Sequence, residues 1–266
     1  MNESLVQKRV GIQGLTTAIL LPSVDLFGDS IGRRREAVGP LTSVVGIGLF
    51  QRAILTLQRG GIRQLIVLAG PEEEQLKQSL CNGPRVTIPV RWMPVREFPL
   101  DDPRTWEFLG AEVGDCALVL SANAVFSRGL IEHLRQEARD GEAMVVAQAT
   151  SRSSKAVTSG GVRLRTRAER LTSFAPAHFD DSAPSAAEMA VLPAGLMSAA
   201  RDAGTENGRL PIRRWLERAA VEGRVRVMKK LGVPYKNEIG QAESLARAQA
   251  AEIARQIGRA SCRERV

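Results

Sequence analysis

The residues best suited to chemistry gather in three connections, each following an apolar run of strand length and the first of them long for a strand-to-helix link. The first is Pro22-Ser23-Val24-Asp25-Leu26-Phe27-Gly28-Asp29-Ser30-Ile31-Gly32-Arg33-Arg34-Arg35, rich in glycine and in basic side chains. Backbone N–H groups around Ser23 and Gly28, with the guanidinium forks of Arg33 and Arg34, are donors of the kind that hold phosphate. Asp25 and Asp29 add carboxylates, the ligands a hard cation such as Mg2+ prefers. The second connection is Gly70-Pro71 before Glu72-Glu73-Glu74, whose acids suit a helix N-terminus with no ligand at all. The third is Ser121-Ala122-Asn123.

Other chemistries find little support. His133 and His178 are the two histidines, so no H-E-x-x-H or histidine-rich metal site can be written. Cys81 and Cys116 lie too far apart for a C-x-x-C pattern and read as buried thiols in a reducing compartment. Gly46-Ile47-Gly48 lacks the third glycine of a dinucleotide fingerprint, and neither a Walker A sequence nor G-x-S-x-G is present. A basic stretch at 209–230 carries Arg209, Arg213, Arg214, Arg218, Arg224, Arg226, Lys229 and Lys230 against Glu217 and Glu222. It reads as a solvated helix and strand, or as a patch facing anionic lipid or phosphate. With 4% aromatic residues there is little stacking surface for nucleic acid, which is excluded as a partner.

The chain has 266 residues, 44% hydrophobic and 25% charged, with a net charge of +8, the balance of a globular protein. One core is expected, since single cores grow to about 250–300 residues. No run approaches the ~20 apolar residues of a membrane span. Lys8-Arg9 before the uncharged stretch 10–24 imitates a leader, but the segment reads better as a first strand, which makes the cytoplasm the expected location. The last ten residues, IGRASCRERV at 257–266, match the translation of a sequencing-adapter oligonucleotide and are set aside as non-native. The domain expected is therefore 1–256, and without the tail's three arginines and one glutamate its net charge is +6.

The elements that must position those loops follow from alternating periodicities. Apolar strands are expected at 17–21, 64–68, 87–92, 116–120, 143–149, 161–167, 189–192 and 224–228. Amphipathic helices are expected between them, over 49–59, 72–80, 103–112, 127–139, 194–203 and 212–222, with a closing helix at 241–256. Ser127 is a suitable N-cap and Gly60-Gly61 a suitable stop. Strands apolar on both faces and separated by helices predict an α/β fold, a mostly parallel sheet with helices on both faces, with 17–21, 64–68 and 116–120 adjacent near its centre. The polar stretch 151–159, the strand at 161–167 and the Pro, Ala and Ser-rich stretch 175–187 read as an excursion from that sheet or an antiparallel edge of it, and not as a separate core.

The order of these segments resembles the nucleoside-diphosphate-sugar pyrophosphorylases, or sugar-phosphate nucleotidyltransferases, with their Rossmann-like fold. That family opens on a strand like A-V-I-L-A-A-G, then P-K-P-L, then V-x-G-x-P-L-L-x-R-x-I-x-x-L-x-x-x-G-I and a strand closing V-x-x-G. Here TAILLPS and GPLTSVVGIGLFQRAILTLQRGGIRQLIVLAG keep that order and spacing. CALVLSANAVFSRGLIEHL is similar to the family's strand, acidic residue and helix, and YKNEIGQAESLARAQ to its closing segment. The inositol-phosphate cytidylyltransferases fused to membrane CDP-alcohol phosphatidyltransferases look most similar.

The resemblance implies transfer between CTP or another NTP and a phosphorylated sugar or polyol, with Mg2+ as cofactor. It also implies a fused phosphatidyltransferase segment in phospholipid headgroup biosynthesis, and so an anionic membrane surface beside the domain. The catalytic positions depart from the family's pattern. Pro22 and Ser23 fall where Ala and Gly belong, Gly39 falls at the phosphate-neutralising Lys, and Asn123 falls at the metal Asp. Pro22 has no N–H to offer, and an amide is a weaker magnesium ligand than a carboxylate. Glu238 or Asp25 is left to supply the metal carboxylate, with Ser23, Gly28, Arg33, Arg34, Gly70 and Asn123 around the nucleotide. These replacements favour a degenerate, non-catalytic domain over an active enzyme.

Overall fold

The computed structural model describes residues 14–22, 24, 26–27, 39–81, 85–122, 124–148, 162–176, 183–200, 210–228 and 236–238. Strand β1 (Thr17–Leu21) is buried along its whole length and ends at Pro22, as an apolar run bounded by proline should. A hairpin of β2 (Ser43–Val44) and β3 (Ile47–Gly48) turns through Val45 and Gly46, with φ of 51° and 77°. Two left-handed residues in a two-residue loop match the twist of the flanking strands, which is why Gly46 stands there. The hairpin runs directly into α1 (Leu49–Arg59), whose Phe50, Ala53, Ile54 and Leu57 line one buried face. Gly61, at φ 90°, ends that helix, its N–H bonded to the Gln58 carbonyl while Ile62 N–H reaches Leu57.

The alternation continues through β4 (Gln64–Ala69), α2 (Glu73–Cys81) and β5 (Val90–Pro94). Asp102 caps α3 (Pro103–Glu112) by accepting the Arg104 N–H at 2.9 Å, with Pro103 in the first turn, where its missing N–H costs nothing. After β6 (Cys116–Ser121) and the short β7 (Ala124–Phe126), Ser127 caps α4 (Arg128–Glu137) through the Leu130 N–H at 3.2 Å, as expected. Then come β8 (Ala143–Gln148), the hairpin β9 (Arg163–Arg167) and β10 (Arg170–Ala175), and the long β11 (Ser185–Pro193). The described chain closes with α5 (Ala194–Ser198), α6 (Ile212–Val221), β12 (Val225–Met228) and β13 (Lys236–Glu238).

Nine strands form one sheet in the order β5-β4-β1-β6-β11-β8-β12-β10-β9. β1 lies between β4 and β6 in parallel register, Ile19 opposite both Ile66 and Val119, so the three expected central neighbours are neighbours. β8 and β12 are also parallel, but β11 runs antiparallel between β6 and β8, making the sheet mixed. The sheet divides the core in two. Ile19, Leu21, Val119 and Leu192 face α3, α5 and α6 through Trp106, Met197 and Trp215; Ala18, Leu20, Leu118 and Val191 face α1 and α4 through Ile54 and Ile131. Trp106 is fully buried, donates to the Leu100 carbonyl at 2.8 Å and meets Trp215 edge-on at 5.5 Å.

Some expectations shift. The strand expected at 87–92 forms at Val90–Pro94, and that expected at 189–192 begins four residues earlier. β10 and the ribbons β2–β3 and β7–β13 were not expected. The stretch 151–159 and the closing helix at 241–256 lie outside the described residues, as does the tail. No helix among the described residues is long and apolar enough to cross a membrane.

Gly110 marks a close contact between two helices. A Cβ there would lie 2.7 Å from Ser198 Oγ and 3.0 Å from the Ala194 carbonyl oxygen of α5. Gly110→Ala should therefore destabilise the protein by about 1–3 kcal/mol in urea unfolding, overriding the up to ~1 kcal/mol that alanine gains over glycine inside a helix. A stabilised variant would show that α3 and α5 are not packed this closely.

Candidate functional site

With both faces covered, ligands have access to the sheet at the carboxyl ends of its parallel strands. Those ends are Leu21-Pro22 of β1, Ala69-Gly70 of β4 and Ser121-Ala122 of β6, and the ends of β1 and β6 are tied together: Ala122 N–H donates to the Leu21 carbonyl at 3.1 Å. The hairpin β2–β3 and the ribbon β7–β13 stand at this edge, where Val44, Leu49 and Val125 form a small core of their own and Arg52 donates to the Val44 carbonyl. The N-terminus of α1 is satisfied internally. Leu49 N–H bonds Thr42 O at 2.9 Å and Phe50 N–H bonds Pro40 O at 2.8 Å, so those two donors already have partners.

The predicted site residues divide. Ser23, Asp25, Gly28, Arg33, Arg34, Asn123 and Arg209 lie outside the described residues. Gly70 is at the edge as expected, but its environment is acidic. Its carbonyl accepts the Glu73 N–H at 3.1 Å, and a Cβ on it would meet Glu72 Oε2 at 3.0 Å. Glu238 is brought in from far along the chain. β13 pairs antiparallel with β7 so that Glu238 stands opposite Ala124, the residue that follows Asn123. The long-range pairing thus joins the carboxylate candidate to the segment where the metal residue was expected.

One residue was missed. Glu188 sits half-buried on β11, which the sequence reading began at Met189, and its carboxylate accepts the N–H groups of Leu26 and Phe27 in the connection after β1. The signal was available: a single charge inside Ser185–Pro193, a strand otherwise apolar or small, needs a partner to be tolerated there. Among the described residues no three metal-ligating side chains gather.

The basic stretch is largely committed to intramolecular contacts. Arg213 on α6 pairs with Glu217 at 3.3 Å and lies 5.7 Å over the Phe174 ring. Arg224 pairs with Glu222. Arg226 pairs with Glu137 at 3.2 Å and lies 2.8 Å from Glu142, as a close ion pair and not an aligned hydrogen bond; Arg170 bonds the other oxygen of Glu142. Arg214 and Arg218 share the helix and have interactions of their own. Of the two cysteines among the described residues, Cys116 is buried as expected, its pKa pushed up to about 11 by burial and then by the charges of Asp115 and Asp140, whereas Cys81 at the end of α2 is exposed.

No family model matches the chain, and no curated protein sequence matches it. Solved structures do match its fold. A UDP-glucose pyrophosphorylase complexed with UDP-glucose superposes with a TM-score of 0.67 at 10% identity, over 91% of this chain and 99% of the other. A Bacillus anthracis protein described as a candidate glucose-1-phosphate thymidylyltransferase, in complex with a sucrose, gives 0.66 at 15% identity over 88% and 94%. HddC from Yersinia pseudotuberculosis gives 0.64 at 12% over 89% and 99%. The α/β, Rossmann-like nucleotidyltransferase fold expected from the sequence is therefore the fold of this chain.

The Glu142 cluster yields a pH dependence. Burial opposes ionisation of Glu142, but the hydrogen bond from Arg170 and the charges of Arg170, Arg226 and Arg139 outweigh it, so its pKa lies below the ordinary carboxylate value. A carboxylate depressed on folding stabilises the native state above its unfolded pKa, and that contribution is lost as pH falls through the folded value. In acid titrations followed by urea unfolding, the stability advantage of the wild type over Glu142→Gln should hold near neutrality and vanish below the usual carboxylate range. An advantage unchanged into strong acid would contradict this account.

Proposed function

We propose that the chain is a nucleotidyltransferase-like domain that binds a nucleoside triphosphate and a phosphorylated sugar or polyol at the carboxyl edge of β1, β4 and β6. The observation that carries the reading is the backbone pairing of Glu238 with Ala124, which brings β13 to the β6 connection at the edge where the β1 connection also emerges. Loop N–H groups near Ser23 and Gly28, with Arg33 and Arg34, would bind the phosphates as donors and positive charge. CTP and a polyol phosphate are the substrates to which the sequence resemblance points.

A donor set of one carboxylate and one amide suits Mg2+ only as a metal–nucleotide complex whose phosphates complete the coordination. Glu238 and Asn123 would hold that ion, and when bound it would neutralise phosphate charge. Catalysis is weak in this reading, because Gly39 and Asn123 stand where the nucleotidyltransferase pattern carries Lys and Asp. Positioning without transfer, in support of a fused or associated partner enzyme, is then the domain's role. Arg213, Arg224 and Arg226 have carboxylate partners, which favours a solvated face over a lipid-binding patch for that part of the chain.

The test is restoration. A Cβ at Gly39 meets nothing within 4 Å among the described residues, so a side chain can begin there without a clash at its first carbon. The wild type should bind CTP yet release pyrophosphate more slowly than about 1 per second with a polyol phosphate. Gly39→Lys combined with Asn123→Asp should raise that rate by about 100-fold or more, the effect of returning a phosphate cation and a metal carboxylate. Release at ordinary enzyme rates by the wild type would refute the degenerate reading, and absence of nucleotide binding in both proteins would refute the nucleotide reading itself.

A further inference from the structure

Glu188 occupies an irregular point of the sheet. On one side β11 keeps register with β6, Met189 opposite Leu120, which puts Glu188 level with Ser121 at the end of β6. On the other side the pairing with β8 jumps from Ala186–Ala147 to Ala190–Val145, so β11 carries two more residues than its partner across the interval. Such a bulge turns a side chain away from the position the regular pleat would give it. The carboxylate meets the N–H of Leu26 and, at 3.2 Å, the N–H of Phe27.

Leu26 and Phe27 have no exposed surface, and they belong to the same core as Ala186, Ala190 and Leu192. Their N–H groups lie in a turn, outside any strand ladder, and a buried donor left without an acceptor costs about 1–3 kcal/mol. Glu188 supplies that acceptor across 162 and 161 residues of chain. The contact extends further: the Phe27 ring lies 5.3 Å from Phe174 of β10, over which Arg213 of α6 is placed. One carboxylate thus ties the β1 connection to β11, and through Phe27 to β10 and α6.

We infer that Glu188 is a positioning residue: its carboxylate anchors Leu26 and Phe27 to the bulge of β11 and so fixes the point from which the segment carrying Gly28, Arg33 and Arg34 leaves the sheet. The functional half of this inference rests on the nucleotide reading above; the anchoring half does not. Both N–H groups converge on one carboxylate oxygen, Oε2, so the single carbonyl oxygen of glutamine can stand in for it, whereas aspartate is one methylene too short and alanine has no acceptor.

The test compares full-length Glu188→Ala, Glu188→Asp and Glu188→Gln with the wild type by amide hydrogen exchange at residues 26 and 27 and by calorimetric titration with CTP. In the alanine and aspartate variants, exchange at these two amides should rise at least about tenfold while the amides of β1, β4 and β6 stay protected, and glutamine should restore most of the protection. CTP affinity should fall about tenfold or more in the alanine variant and recover with glutamine, which a purely stabilising role would not produce in folded protein. Unchanged exchange at 26 and 27, or a rise shared across the sheet, would overturn the anchor. CTP affinity equal in wild type and alanine variant would overturn the positioning role. A wild type that binds no CTP defeats the nucleotide reading and leaves the exchange result to decide the anchor. If the alanine variant fails to fold, the contrast between aspartate and glutamine decides in its place.

Discussion

Burial of the central strands on both faces is the constraint from which the rest of this structure follows. β1, β4 and β6 have no solvent-facing side, so their residues carry no chemistry and their helices have no freedom to leave. Everything polar is pushed to the strand ends. At the carboxyl ends this concentrates three connections within one edge, and two small ribbons, β2–β3 and β7–β13, add segments from residues 43–48 and 236–238 to it. Function in such a fold is a matter of which side chains the loops bring to that edge, because the fold itself is shared by proteins of many activities.

Much of the architecture was legible in the sequence because it obeys period and punctuation. The centre strands are continuous apolar runs, α1 ends at Gly60-Gly61, and Ser127 stands where an N-cap is needed. What was not legible depends on partners distant in sequence. A strand buried on both faces reads the same whether it runs parallel or antiparallel, so nothing in Ser185–Pro193 announces that it enters between β6 and β8 reversed. β10 and β13 are strands of mixed polarity, RLTSFA and KNE, whose state is decided by the edge they join and not by their own pattern.

The candidate site was legible in a different proportion. Gly70 and Glu238 could be named from spacing and resemblance, and both reach the carboxyl edge, but the acidic surroundings of Gly70 through Glu72 and Glu73 require coordinates. The basic stretch 209–230 is read from sequence in two ways, as a solvated helix and strand or as an anion-facing patch. Counted along the chain it is a patch; in space Arg226 turns to Glu137 and Glu142 from α4 and its following turn, residues some eighty to ninety positions away. Charge seen in sequence is a property of neighbours along the chain, whereas a field at a surface depends on which carboxylates fold against it.

Glu188 shows the same rule from the other side. A lone carboxylate in an apolar strand is a local conflict, and such conflicts persist only where a distant group resolves them or a function requires them. Here the resolution is two backbone donors in the connection after β1, whose side chains are wholly buried. An apolar residue at 188 would suit the strand better and leave those donors stranded. The choice of glutamate therefore favours the placement of the loop over the regularity of the sheet, and the bulge in β11 is where the backbone accommodates that choice. The most informative residue for this edge is thus one whose position in an apolar strand makes it look misplaced.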